Sequence, residues 1–327
     1  MSSYKDTPVL LLIFNRPDTT ARVFEAIARA RPRFLYIAAD GPRPNVPQDA
    51  EKCRSARNIV SRVDWDCEVR HRFIDQNLGC RMAVSSAIAW FFDQVESGII
   101  LEDDCLPAAS FFPFCSQLLE KYRDDERIMS ILGNNFQNGI QRGDAAYYFS
   151  SAPWIWGWAS WRRAWKHYDL HMKTFPDFVR GRCMENLSRD LDIQNFLWKY
   201  FITVYENGSD TWDWQWFYAI LVNHGLCIVP QVNLVSNIGF SAEATHTRKE
   251  HSKYADIPLG DIREMTHPWA VLPDHRADDY FYKHFMRAGY DNIKNPLMRW
   301  RKVIKRRHRS RKRIDRFLTD YEWKLQT

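Results

Sequence analysis

Three consecutive acids, Glu102, Asp103 and Asp104, follow directly on the apolar run Gly98-Ile99-Ile100-Leu101. Adjacent carboxylates repel one another, so such a triplet needs a compensating cation unless water solvates it. Hard oxygen donors of this kind suit Mg2+ or Mn2+, which hold few carboxylates and keep positions open for phosphate oxygens. The alternative is a solvated turn in which Asp104 caps a helix opening near Leu106-Pro107. Two further polar groups stand in the same relation to an apolar run: Asn15-Arg16 after residues 9–14, and Asp40 after Phe34–Ala39. Each cluster falls where a buried strand would end, and parallel α/β sheets bind their ligands beyond the carboxyl ends of their strands.

The periodicity supplies the elements that would bring these side chains together. Residues 9–14 read as a fully buried strand, broken by Asn15-Arg16-Pro17-Asp18 ahead of a helix to about Ala30 with Val23, Ile27 and Ala30 on one face. Phe34–Ala39 reads as a second strand, residues 48–62 as a long helix and residues 68–74 as a third strand. Asn77-Leu78-Gly79 forms a turn before a helix whose apolar face is Ala83, Val84, Ala87, Ile88 and Phe91, and residues 98–101 are a fourth strand. This alternation predicts βαβ units, a mostly parallel sheet and the α/β class. After Ile128–Leu132 the rhythm changes: residues 145–158 are rich in β-formers, helix dominates to His224, and Leu226–Pro230 is strand-like. Residues 241–279 lack periodicity, which predicts irregular structure over the surface.

Composition narrows the classes. A chain of 327 residues with 45% hydrophobic and 26% charged residues can bury a sizeable core. No apolar stretch is long enough for a secretory h-region or a membrane span. The seven Cys (53, 67, 80, 105, 115, 183 and 227) include no Cys-x-x-Cys pair, which speaks against a disulfide framework and a zinc site and for a reducing cytoplasm. Between Arg299 and Arg316 lie eleven Lys or Arg and one acid, Asp315, a local charge of +10 that leaves −4 on the rest of a chain with net charge +6. Fourteen Trp are present, and they cluster: Trp154, Trp156, Trp158, Trp161 and Trp165 in one segment, Trp212, Trp214 and Trp216 in another.

The segment Ile-Ile-Leu-Glu-Asp-Asp-Cys-Leu-Pro from Ile99 resembles the metal-binding segment of GT-A fold nucleotide-sugar glycosyltransferases, especially the N-acetylglucosaminyltransferase I type. The order of flanking features matches too, over roughly residues 8–247. The resemblance implies that Arg16 and Asp40 hold the nucleotide base, with Asn15 beside them, that Asp104 binds Mn2+ or Mg2+, and that Glu102 and Asp103 face the sugar or ribose. It implies that Gly157-Trp158 and Trp212 lie on the acceptor side, that Asp213 is the catalytic base, and that His246 contacts metal or diphosphate. Two departures are visible: Asp75-Gln76-Asn77-Leu78-Gly79 stands where that type has a His and is nearer to simpler, bacterial family 2-like enzymes, and the last 80 residues match no known pattern. The implied organisation is a glycosyltransferase domain over residues 1–240 with a nucleotide half (8–135) and an acceptor half (136–240), an irregular segment over 241–296 and a basic amphipathic tail over 297–327.

The expected activity is inverting transfer of a sugar from a nucleoside-diphosphate donor, a UDP-sugar by preference, to a saccharide or lipid-linked hydroxyl in cell-envelope or polysaccharide synthesis. Partial enclosure by Trp212, Trp214 and Trp216 would desolvate the Asp213 carboxylate and raise its basicity. The plainer reading of Asp213 is a first-turn acid favoured by the helix dipole, with Trp212, Trp216 and Ile220 packed on one face. A sugar nucleotidyltransferase is the nearest rival, but residues 15–20 contain no Gly to cradle phosphate. A metal-dependent hydrolase would gather acids and His from several strand ends, and one acid cluster is visible. A non-enzymatic protein using the basic tail is the third alternative; the acidic body argues against nucleic acid as its target. For residues 299–316 the expectation is peripheral attachment to the inner, anionic face of a membrane, with Trp300 and the aliphatics of the tail inserted; the alternative is a surface helix that is merely basic.

Overall fold

The computed structural model describes residues 3–240, 257–286, 288 and 296–326. Strand β1 (Val9–Ile13) is apolar and buried throughout. Successive side chains of a strand point to opposite faces, and here Leu10 and Leu12 enter one hydrophobic core while Val9, Leu11 and Ile13 enter a second. A strand buried on both faces needs helices on both sides of its sheet. The first of them, α1 (Pro17–Ala30), opens with Pro at a position whose N–H has no helical partner anyway and buries Thr20, Val23, Phe24 and Ile27.

The chain then runs through β2 (Phe34–Ala39), α2 (Pro47–Val60), β3 (Glu68–Phe73), α3 (Gly79–Gln94), β4 (Ser97–Glu102), β5 (Cys105–Pro107), α4 (Phe111–Lys121) and β6 (Ile128–Leu132). It continues through β7 (Tyr147–Ser150), β8 (Trp158–Trp161), α5 (Arg162–Trp165), α6 (Phe175–Arg180), α7 (Met184–Leu187), α8 (Leu191–Asn207), α9 (Asp213–Val222), β9 (Leu226–Pro230) and β10 (Val235–Asn237). Two further helices, α10 (His275–Tyr280) and α11 (Pro296–Gln326), follow. The main sheet has eight strands in the order β3-β2-β1-β4-β8-β6-β9-β7. Its β1–β2, β1–β4, β2–β3 and β6–β9 ladders are parallel and the other three antiparallel. The protein is thus an α/β fold of Rossmann-like type with a mostly parallel sheet.

Register brings the polar clusters together. Ile13 pairs with Ala39 and Leu12 with Glu102, so the residues following β1, β2 and β4 emerge side by side. Antiparallel β8 enters next to β4, with Trp158 opposite Ile100, which sets Gly157 beside the same edge. One expectation fails here. No helix opens at Leu106-Pro107; these residues form β5, paired antiparallel with β10, and α4 starts at Phe111. Asp104 is therefore not a helix cap. The region expected to be irregular also contains α10, because Asp274 accepts from the N–H groups of Arg276 and Ala277 and starts a helix. Among the described residues no helix is long and apolar enough to cross a membrane.

Candidate functional site

Beyond the carboxyl ends of β1, β2 and β4 lies a cavity of about 660 Å³, at the point where the chain has left β1 for neighbours on either side, as expected of such sheets. Its lining includes Arg16, Asp40, Glu102, Asp103 and Asp104 from the β1–β4 strand ends, and Trp156, Tyr200, Trp212, Asp213 and Trp214.

The acid triplet is the electrostatic centre. Asp103 is held by the N–H of Phe14 at 3.0 Å, and Arg16 Nη1 donates to Asp104 Oδ2 at 2.6 Å while lying 3.9 Å from Asp103. Burial, reinforced by the charge of Asp104, pushes the Asp103 carboxyl up to about 7. Burial and the charges of Asp104, Asp103 and Asp213 raise Glu102 well above the usual carboxylate range, with Arg16 opposing. Burial works against the Arg16 cation, but Asp103, Asp104 and Glu102 outweigh it and strengthen its hold on the proton. Three carboxylates thus share one guanidinium. That deficit of positive charge, in an all-oxygen donor set, fits a divalent cation, since Mg2+ commonly takes only one or two carboxylates and completes its shell with water and substrate phosphates. Among the described residues no three His, Cys, Asp or Glu side chains converge as a ready-made metal cage. His246 lies outside the described residues.

Asp40 is pinned rather than open. It accepts from the N–H groups of Gly41, Leu78 and Gly79 at 2.9, 2.9 and 3.1 Å and from Asn77 Nδ2 at 2.9 Å. Burial raises its pKa, and those donors pull the other way. Asn15 does not line the cavity: its amide donates to Asp49 at 2.8 Å, and Asp49 also pairs with Arg43. Its place in the structure is to tie the end of β1 to the first turn of α2.

A residue that sequence reasoning missed completes this side. Asp210, in the loop between α8 and α9, accepts from the N–H groups of Cys80 and Arg81 at 3.1 and 2.8 Å. With Asp40 it satisfies all four N–H groups that open α3, a helix start whose own N-cap side chain makes no bond. Gly79, at φ +78°, allows the approach, because a Cβ there would meet the Asp210 carboxylate oxygens at 3.1 Å. The only sequence signal was an Asp three residues before Asp213 in a Gly-Ser-Asp-Thr loop.

Asp213 opens α9, and its Oδ1 accepts from the hydroxyl of Thr211 and from the N–H of Trp214 at 3.0 Å. It is half-buried, and Glu102 lies within reach of its charge. The Trp clusters divide. Trp158 is 0% exposed and Trp212 2%; with Trp165 and Trp216 they form one aromatic core, Trp158 and Trp212 stacking at 5.9 Å. Trp158 is absent from the cavity lining. Half-buried rings face the cavity instead: Trp156, and Trp214 stacked on Tyr200 at 4.5 Å. Gly157 takes φ +66°, and Val235 fills the space that a Cβ there would need, while its carbonyl accepts from the N–H of Gly133 at 2.8 Å.

No protein-family model matches the chain, and no curated protein matches it. Among solved structures, a UDP-glucose pyrophosphorylase in complex with UDP-glucose is similar at 13% identity and a TM-score of 0.26, over 46% of this chain and 64% of that one. The chain thus matches less than two thirds of that enzyme's length, and the likeness assigns no chemistry.

Proposed function

We propose that the chain is an inverting glycosyltransferase that moves a sugar from a nucleoside diphosphate, UDP by preference, to a hydroxyl of a saccharide or lipid-linked acceptor. The observation that carries this reading is that the acid triplet and Asp213 line one cavity, to which the β1–β4 strand ends bring polar groups and the α8–α9 region aromatic ones. Aromatic faces such as Trp156, Trp214 and Tyr200 suit the apolar face of a sugar ring. Arg16 and Asp40 border the polar half, where the nucleotide would lie.

Asp104 would hold a Mn2+ or Mg2+ ion, with Glu102 and Asp103 toward the sugar or ribose and His246 as a further ligand to metal or diphosphate. Such an ion, when bound, neutralises charge developing on the departing diphosphate without proton transfer. Asp213 takes the proton of the acceptor hydroxyl as it attacks. Thr211 and the Trp214 N–H fix its carboxylate, so its geometry is set before the acceptor arrives. One base facing the leaving group means in-line displacement and inversion at the anomeric carbon.

Thermal shifts with UDP, GDP, CDP and dTDP, with and without Mn2+, test the donor side: a nucleotide at about 100 times its Kd adds roughly 2.7 kcal/mol. Asp213→Asn is expected to keep that shift and lose about 10² to 10⁴ in turnover, the usual worth of a general base. Absence of any metal-dependent shift would overturn the reading. Release of nucleoside diphosphate from a sugar donor, rather than pyrophosphate from a triphosphate, separates it from the nucleotidyltransferase alternative.

A further inference from the structure

Helix α11 has two unlike sides. On one, Phe317 is buried against Phe175 and Tyr205 at ring distances of 5.5 and 5.4 Å, Ser310 is buried, and Tyr321 meets the Arg180 guanidinium at 5.7 Å. Ile314 and Leu318 join the same core. Ile314, Phe317 and Leu318 are thus spent on the body of the protein, while the side chains of Leu297, Trp300, Val303 and Ile304 are not among those described.

With 3.6 residues per turn, Lys305, Lys312 and Arg316 stand opposite Ser310, Ile314, Phe317 and Tyr321, with Arg309 beside them and Arg313 on the flank, each exposed. Trp323, 64% exposed, lies on the same line as Lys305, Lys312 and Arg316. Two exposed acids, Asp315 and Asp320, border this row on its two sides, and Asp320 pairs with Arg316 at 3.5 Å.

We propose that this outward ridge docks the protein on an anionic lipid surface, with the cations at the phosphate headgroups and Trp323 at the interface. A straight row of cations matches a flat anionic plane, and an indole among them is the side chain that favours the headgroup layer. A single-stranded polynucleotide would instead call for a basic groove with several stacking rings, and this face offers one. Ile314, Phe317 and Leu318 face the body, so attachment through this ridge is electrostatic and reversible. It also has a direction: α11 packs on α8, and Tyr200, Thr203 and Val204 of α8 line the cavity. The lipid plane would lie one helix layer from the site.

The test is co-sedimentation of the full chain with vesicles of phosphatidylcholine alone or with about one third phosphatidylglycerol, at low and high salt. Binding to the anionic vesicles only, lost at high salt, is expected. Each cation near such a surface multiplies partitioning by roughly fivefold, so the triple variant Lys305→Gln, Lys312→Gln, Arg316→Gln should lose about 100-fold, and Trp323→Ala a smaller factor. Equal binding to neutral vesicles, or an unaffected triple variant with an unchanged circular dichroism spectrum, overturns the proposal. So does tighter binding to single-stranded DNA or RNA than to the anionic vesicles in the same buffer. No turnover is measured, so this idea and the catalytic reading fail separately.

Discussion

Replacing Gly157 by Ala would place a methyl group where the fold has no room and on a backbone that resists it. The new Cβ would stand 2.7 and 2.9 Å from the two Val235 methyls and 3.2 Å from Leu101 Cδ2, at φ +66°. The left-handed backbone costs a residue with a Cβ about 1–2 kcal/mol, and forcing extra volume into a packed core about 1–3 kcal/mol. The expected loss is therefore about 2–5 kcal/mol. For 327 residues each kcal/mol corresponds to roughly 1.5 °C, so the melting temperature should drop by about 3–7 °C. Val235→Ala alone removes two buried methyl groups and costs about 2 kcal/mol. In the double variant the main clash is gone and only the backbone part remains, so the cycle should show a favourable coupling of about 1–3 kcal/mol. Thermal unfolding of the four proteins measures it. Strict additivity, or a single variant that melts within about 1 °C of wild type, would refute the close contact between the end of β4, Gly157 and β10.

Asp210→Ala removes two acceptors from the start of α3 and should cost about 0.5–2 kcal/mol, the range of a lost helix cap. Its larger effect is expected on turnover, about 10- to 100-fold, because the loop it anchors leads into Asp213 and small misplacements of a reacting group are costly. Donor KM should hardly move, and Asp210→Asn should recover part of the loss; steady-state kinetics beside melting curves check both. Asp278 accepts from both Ser150 and Ser151 hydroxyls and is buried, and burial raises its pKa, with those donors opposing. A raised carboxyl adds stability that is full below the ordinary carboxylate pKa and is lost as pH rises through the folded value. Urea unfolding should accordingly show the advantage of wild type over Asp278→Asn largest near pH 4 and shrinking toward neutrality; an advantage that grows with pH would contradict the sign.

Much of the framework was legible because fully buried strands are written as unbroken apolar runs. Residues of β1, β2, β4, β6 and β9 stand out for that reason, and the polar residues directly after the first three had to emerge at one edge once the ladders were parallel. Strand β5 was not legible, since Cys-Leu-Pro has no pattern of its own and pairs with Val235–Asn237 far along the chain. The Trp segments were visible as clusters, yet sequence spacing could not separate Trp158, which is core, from Trp156 and Trp214, which face the cavity.

What the sequence by itself determined is the α/β class, the strand ends that carry Arg16, Asp40 and the Glu-Asp-Asp triplet, and the basic character of α11, all properties of near neighbours and of local periodicity. Only the tertiary structure decided which of these groups are engaged and with whom. Arg16 meets Asp104 across 88 positions and Asp210 reaches α3 across 130, while Phe317 of α11 closes on Phe175 of α6 and Tyr205 of α8. Such contacts depend on how whole elements pack, and the energy that selects them is shared over many side chains rather than written at either partner.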